Sequence, residues 1–403
     1  MIHYAWIIAL TGTLVTILAH GLGRMSYSVI LPSMKDGLAL TYTQTGYIAT
    51  GNFIGYLCLA IMGGFLAARF GVRRVVFVSL VVIGVSLFLT GLSNSFAFAF
   101  LMRLLAGAGN GGSYVPIMAL PAAWFVAKKR GLATGIVSGG IGIGLFLAGI
   151  ILPPIISAYG KEGWRYAWYF MGIVVFALAF LCYGFLRNSP ADKGISQLGG
   201  TEALKGGVRV TLFSAFKDVV VEREIWKLGC VYFMYGFSYI IYLTFFVAYL
   251  TKELGVSPVA AGRIFAVLGI FSIFCGVIWG GISDALGRRL GSMLAYLTLA
   301  FSYLVFVFWK DYTGFYISAV VFGLAAFSIP TIMAAAAGDA VGGRLAPAGL
   351  GFITLFFGVG QAFGPAVAGW IKDSAGTFTY AFLLAAAISL VGGFGSMILR
   401  KKA

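Results

Sequence analysis

Gly64-Phe65-Leu66-Ala67-Ala68-Arg69-Phe70-Gly71-Val72-Arg73-Arg74 closes one long apolar span, and Gly280-Gly281-Ile282-Ser283-Asp284-Ala285-Leu286-Gly287-Arg288-Arg289 closes another 216 positions later (280 − 64). At nearly the same offset, Gly21-Leu22-Gly23-Arg24-Met25-Ser26-Tyr27 stands opposite Gly236-Phe237-Ser238-Tyr239-Ile240-Ile241-Tyr242. The chain therefore reads as two related halves. Hydrophobic residues make up 61% of its 403 positions and charged ones 10%, with a mean hydropathy of +0.99. A soluble domain needs far more charge to cover its surface, so the chain reads as an integral membrane protein.

Twelve apolar spans are expected, at 5–33, 42–69, 75–93, 97–125, 131–158, 165–186, 226–251, 257–284, 291–309, 314–339, 347–371 and 377–399. Each approaches the roughly 20 residues that cross about 30 Å of hydrocarbon as a helix. Strand-type alternation is absent, which excludes a β-barrel. The expected fold is all-α, with twelve transmembrane helices in two pseudo-symmetric six-helix bundles: residues 1–186 as the N-terminal half, 187–225 as a cytoplasmic linker and 226–403 as the C-terminal half. The linker carries Pro190 and several glycines, then a mixed apolar and charged run from Val210 to Glu224 that fits a surface helix or a regulatory contact. Two similar six-helix halves on one chain are the architecture of an alternating-access carrier.

The net charge of +16 is not spread as a nucleic-acid-binding face. Arg69, Arg73, Arg74, Lys128, Lys129, Arg130, the 187–227 segment, Arg288, Arg289, Arg344 and the tail Arg400, Lys401 and Lys402 all fall on one side of the expected spans. By the positive-inside rule both termini are cytoplasmic, in a cytoplasmic (inner) membrane. Met1 to Trp6 lacks the charged n-region of a cleavable leader, so the first span is expected to be retained. The four cysteines lie in apolar spans without metal-ligand spacing, and no disulfide framework is implied. No phosphate-cradling G-x-x-x-x-G-K-[ST] occurs, and no nucleophile–base constellation stands out. No enzyme activity, cofactor or metal is expected, and the expected partners are a small-molecule anion, protons and the lipid bilayer around a monomer.

At these loops the chain resembles the major facilitator superfamily, over nearly its whole length. The two loop segments are similar to that superfamily's signature between helices 2 and 3 and between 8 and 9, with Asp284 kept in the second copy and Ala68 in its place in the first. Arg103-x3-Gly107-x-Gly109-x-Gly111 resembles its fourth-helix motif, and Gly360-Gln361-x2-Gly364-Pro365-x3-Gly369 its Gly-Pro helix motif. The run from Tyr114-Val115-Pro116 to Lys128-Lys129-Arg130-Gly131 resembles the oxalate/formate and monocarboxylate porter branch, but spans 8 and 11 lack an interior Arg or Lys. The resemblance implies a secondary carrier of small solutes.

Arg24 is the residue that points to a substrate. It sits inside an apolar span with no Asp or Glu, and an ionisable group there is functional by default. A guanidinium matches a carboxylate bidentately, so a small organic anion, a mono- or dicarboxylate, is the expected cargo. The bland alternative is that Arg24 snorkels outward or binds backbone carbonyls. His20 lies one helical turn away and Tyr27 follows at i+3. An imidazole titrates near physiological pH, so His20 is a candidate proton carrier or a packing residue. Tyr239 and Tyr242 occupy the repeat positions of Arg24 and Tyr27, as site hydroxyls or as an aromatic packing stripe. Tyr114, Asn110 and Gln361 are further polar groups in apolar spans, either ligand contacts or interhelical hydrogen bonds. Gating is expected of Asp284 with Arg288 or Arg289, and of Arg69, Arg73 and Arg103, the last also as a holder of backbone carbonyls. Two other functions fit the same spans: a carrier of neutral or drug-like compounds, and a transport-inactive membrane sensor or scaffold.

Overall fold

The computed structural model of the protein describes residues 3–199 and 219–400. Residues 200–218, most of the expected linker and its surface helix, and the basic tail at 401–403 lie outside the described residues. The helices are α1 (Tyr4–Thr16), a π-helix (Ile17–Met25), α2 (Tyr27–Gly37), α3 (Tyr42–Phe70), α4 (Val72–Gly91), α5 (Phe96–Trp124), α6 (Ala127–Ala158) and α7 (Gly163–Phe185). They continue as α8 (Arg223–Lys252), α9 (Pro258–Ser272), α10 (Cys275–Leu286), α11 (Arg288–Phe308), α12 (Tyr312–Ala325), α13 (Ser328–Ala375) and α14 (Thr379–Gly395). Among the described residues, nine helical stretches are long and apolar enough to cross a membrane, or eleven if each of two bent pairs is one span. The 29-residue α5, which carries Arg103 and Asn110, covers the remaining span of the sequence reading. The membrane-embedded, all-helical architecture follows.

Two compact units divide the chain, Met1–Leu40 with Gly51–Gly207 and Thr41–Thr50 with Val208–Ala403. This differs from the boundaries drawn on the sequence in two places. The start of the expected linker joins the first unit: Leu198 N–H donates to Trp124 C=O at 3.0 Å and Gln197 Nε2 to Ala123 C=O at 2.9 Å. Conversely, residues 41–50, the first turns of α3, cluster with the second unit.

In the first unit, the opening span is two α-helices joined by nine π-helical residues. The widening sits where Gly21 meets α6: a Cβ on Gly21 would lie 2.4 Å from Gly144 Cα, so the backbones touch only because both residues are glycine. Two threonines fasten the same interface, Thr13 Oγ1 to Ile136 C=O at 3.0 Å and Thr16 Oγ1 to Val137 C=O at 2.5 Å. Fixing that span fixes His20 and Arg24, which both ride on the π-helix.

The second unit carries two helix breaks. α9 and α10 meet at 44°, and α12 gives way to α13 at 326–327. A break frees backbone groups that must find partners. Trp279 Nε1 donates to Leu324 C=O at 2.8 Å, the Tyr235 hydroxyl donates to Ala326 C=O, and Phe327 N–H reaches Cys275 Sγ at 3.1 Å. A third interruption lies at Gly342 (φ 78°, ψ 157°) inside α13, a conformation that L side chains rarely adopt.

The C-terminal end of α13 holds the first turn of α3. Asp373 Oδ1 accepts from Tyr42 N–H at 3.0 Å, and Oδ2 accepts from Thr43 N–H at 2.7 Å and Thr43 Oγ1 at 2.6 Å. The carboxylate thus acts as an N-cap supplied from another helix, where the helix dipole also favours negative charge. Asp373→Ala is expected to destabilise the protein by about 1 kcal/mol, the usual loss for a removed cap. A thermal-unfolding midpoint of the purified protein in detergent reads this, and an unshifted midpoint would show the cap to be energetically idle.

Candidate functional site

Arg24 is 5% exposed, and its guanidinium lies over two rings of α3, 4.4 Å from the Phe53 centroid and 4.4 Å from the Tyr56 centroid. Each desolvated cation–π contact contributes about 2 kcal/mol. Those terms together are of the order of the several kcal/mol that burying one ion costs after relaxation. The protein itself thereby offsets much of the burial of this cation.

His20 lies on the same side of the π-helix. Its ring lies 4.2 Å from that of Tyr114 of α5, tilted by 35°, and meets Tyr56 edge-on at 5.8 Å. Among the described residues, its buried Nδ1 has no hydrogen-bond partner. The first unit thus brings together Arg24, His20 and Tyr114 from the sequence reading and adds Phe53 and Tyr56, which that reading did not single out. A Phe and a Tyr three residues apart on an apolar span carry no signal that separates them from packing. The one available pointer was Asn52 beside them.

Tyr27 is placed elsewhere. Arg103 lies over its ring at 5.3 Å, and Trp168 stands behind it at 6.4 Å, so it packs towards α5 and α7. The i+3 spacing from Arg24 implied a shared α-helical face, but the π-helix ends between them and shifts the phase. Asn110 is fully buried, its amide Oδ1 is 3.2 Å from where a Gly23 Cβ would be, and neither side-chain atom has a partner among the described residues.

Arg103 reads out as a holder of carbonyls. It is 1% exposed, with Nη1 donating to Gly23 C=O at 2.7 Å and Nη2 to Arg24 C=O at 3.3 Å. Its own carbonyl accepts from Asn52 Nδ2 at 3.0 Å. A second buried arginine therefore clamps the peptide that carries the first.

In the second unit Gln361 Nε2 donates to the Tyr239 hydroxyl. Tyr239 belongs to an aromatic stack, 4.5 Å from Tyr235 with an interplanar angle of 4° and 6.0 Å from Phe357. Tyr242 points into the core of that unit. Its hydroxyl meets Ser318 Oγ at 2.5 Å, and Phe322, Phe306 and Tyr303 surround its ring at 4.3, 5.0 and 5.1 Å. The structure gives Tyr242 the packing role that an aromatic stripe allows, and the ligand-facing assignment is set aside.

The loop residues sort by unit. Arg288 bridges Asp284 at 2.6 Å and Asp339 at 2.9 Å, while Arg289 Nε reaches Met397 Sδ at 3.4 Å. Arg289 is therefore outside the ion pair, and Asp339 is a member that the sequence reading missed. In the first unit Arg73 donates to Tyr183 C=O at 2.8 Å, and Arg69 lies over the adjacent Phe70 ring at 5.2 Å. Positions 68 and 72 correspond to 284 and 288 by the 216-residue offset and are Ala and Val (284 − 216 and 288 − 216). The first loop thus lacks both members of the pair, while Arg73 ties its loop to Tyr183 near the end of α7 and Arg289 ties its loop to Met397.

A family model described as "Uncharacterised MFS-type transporter YbfB" matches residues 16–396. The "Probable sulfoacetate transporter SauU" of Cupriavidus necator is 26% identical over 392 residues, covering 93% of this chain and 89% of that protein. The hexuronate transporter of Bacillus subtilis is 26% identical, with 92% and 88% covered, and the cis,cis-muconate transport protein of Acinetobacter baylyi 23%, with 89% and 90%. Among solved structures, the nucleoside transporter NupG superposes with a TM-score of 0.77 at 15% identity, over 98% of this chain and 100% of that one. An inward-facing, unoccupied bacterial homologue of the lysosomal transporter Spinster gives 0.75 at 18%, covering 99% of both. At such identities the superpositions speak for the fold.

Replacing Arg103 with Gln is expected to leave at least one of the two carbonyls it serves buried and unpaired, a loss of about 1–3 kcal/mol. The thermal midpoint of the purified variant measures it, and a wild-type midpoint would exclude the clamp.

Proposed function

We propose that this chain, which belongs to the MFS-type transporter family, carries a small organic anion, a mono- or dicarboxylate or a sulfonate-bearing analogue, across a cytoplasmic membrane by alternating access, with Arg24 as the anion anchor. The observation that carries this reading is the Arg24 guanidinium itself, buried in a span without acids and resting on Phe53 and Tyr56. Relatives named for sulfoacetate, hexuronate and muconate support the anionic class. A planar fork binds a carboxylate or sulfonate through two charge-assisted hydrogen bonds, strongest where water is scarce. His20 and the Tyr56 and Tyr114 hydroxyls complete the cluster, and Tyr239 with Gln361 offers a polar pair in the second unit. The reading includes no catalytic step, and it puts both termini in the cytoplasm on the strength of the basic loops.

The experiment is a thermal-shift titration of the purified carrier against small carboxylates and sulfonates. A ligand that binds the folded form raises the midpoint by mass action. Stabilisation is expected from at least one such anion and is lost in Arg24→Gln, which should also abolish uptake at normal expression. Stabilisation that survives in Arg24→Gln would remove the anchor role.

The unpartnered Nδ1 of His20 favours one extension, that a proton travels with the anion. Protonation of an imidazole is favoured as pH falls, so uptake should rise towards lower pH. His20→Gln is expected to flatten the pH profile of uptake while transport persists. A profile unaltered by that substitution would exclude His20 as the carrier of the proton.

A further inference from the structure

We infer that the unloaded carrier completes its cycle without a counter-anion, so that it supports net uptake rather than obligatory exchange, and that Phe53 and Tyr56 are the residues that permit this. The inference rests on the anion-carrier reading above. In a carrier whose binding group is a bare buried cation, the empty form must take an uncompensated charge through an occluded state. The desolvation penalty then blocks return until another anion binds, and the result is exchange. Here the rings supply part of what the anion would supply. The guanidinium stands 4.4 Å from each centroid, and neither contact needs a bound ligand.

The platform is itself held in place. Phe53 and Tyr56 leave α3 one turn apart and are 4% and 6% exposed. Tyr56 is met edge-on by His20, whose ring in turn packs against Tyr114 at 4.2 Å. On the other side of the chain, Arg103 fixes the Arg24 carbonyl, so the arginine has its backbone clamped and its head resting on rings. An arriving carboxylate adds a bidentate pair to a cation that is already accommodated, and its departure leaves that cation where it was. Faces of aromatic rings suit this task because they attract a cation without carrying a charge that would repel the substrate.

The test uses the full chain in proteoliposomes, with the membrane potential clamped and labelled sulfoacetate, D-glucuronate and cis,cis-muconate as probes. Initial uptake is compared between vesicles whose lumen is free of organic anion and vesicles preloaded with the same anion. The wild type is expected to take up at least one probe into anion-free vesicles at a rate within about threefold of exchange, a difference below 1 kcal/mol in barrier. In Phe53→Leu/Tyr56→Leu the ratio of net uptake to exchange is expected to fall by about tenfold or more, and Phe53→Trp, which keeps a ring, should preserve it. Phe53→Leu alone serves if the double variant does not fold. A wild type that only exchanges overturns the inference and leaves the anion reading standing, as does a ratio unchanged in the leucine variants. Failure of every probe in both modes overturns the anion reading and the inference together.

Discussion

A guanidinium enclosed by an apolar helix bundle needs partners for its charge, and much of the first unit is arranged around that need. Arg24 finds two ring faces on α3. To present it there, the first span abandons α-helical geometry for nine residues, and π-helical carbonyls have poorer internal partners. Arg103 answers that second deficit by binding the carbonyls of Gly23 and Arg24. The close approach of Gly21 to Gly144 lets the widened helix lie against α6 at all. Remove any one of these and the others lose their purpose. A straight first span would need no carbonyl clamp, and a clamp without Arg24 would hold nothing of use.

The two halves diverge at the loop they share. The second copy carries an ion triad, Arg288 with Asp284 and Asp339, and the first carries Ala68 and Val72 at the matching positions. Loss of an acid alone would have stranded a part-buried arginine, which is far more costly than loss of both partners. The first loop is therefore a consistent neutral version rather than a damaged copy. What both loops retain is an arginine bonded to a later segment of its own unit, Arg73 to Tyr183 and Arg289 to Met397, together with a glycine at positive φ, Gly71 at 85° and Gly287 at 84°. Those retained features turn the chain sharply between antiparallel helices, which is the part of the motif that the fold requires.

The membrane spans and the internal repeat were legible because hydropathy and loop motifs are one-dimensional signals. Arg24, His20 and Tyr114 were legible for a related reason, since a polar group in an apolar span stands out in the sequence. Their aromatic support was not. Phe53 and Tyr56 look like any apolar pair, and only the crossing of two helices says which face meets the guanidinium. Tyr27 and Tyr242 failed differently. Both were placed by α-helical spacing or by repeat position. The π-helix breaks the first rule, and the second unit turns Tyr242 into its own core, against Ser318 and Phe322. Asp339 was missed because an acid 55 positions beyond its fellow (339 − 284) gives no local sign of sharing one arginine.

The choice of arginine over lysine at position 24 follows from the same geometry. An ammonium is a compact, strongly hydrated point charge, and its desolvation in this cluster would be harder to offset. A guanidinium is planar and more weakly hydrated, so it can lie on rings and still keep N–H donors in its own plane. Rings compensate the charge from the face, and in the proposed role a carboxylate or sulfonate would approach along the edge, where the donors are. The two kinds of partner therefore do not compete for the same part of the group. A lysine would have to choose between them, because its donors and its charge share a single point. The aromatic platform and the anion fork thus specify arginine jointly, and neither requirement alone would do so.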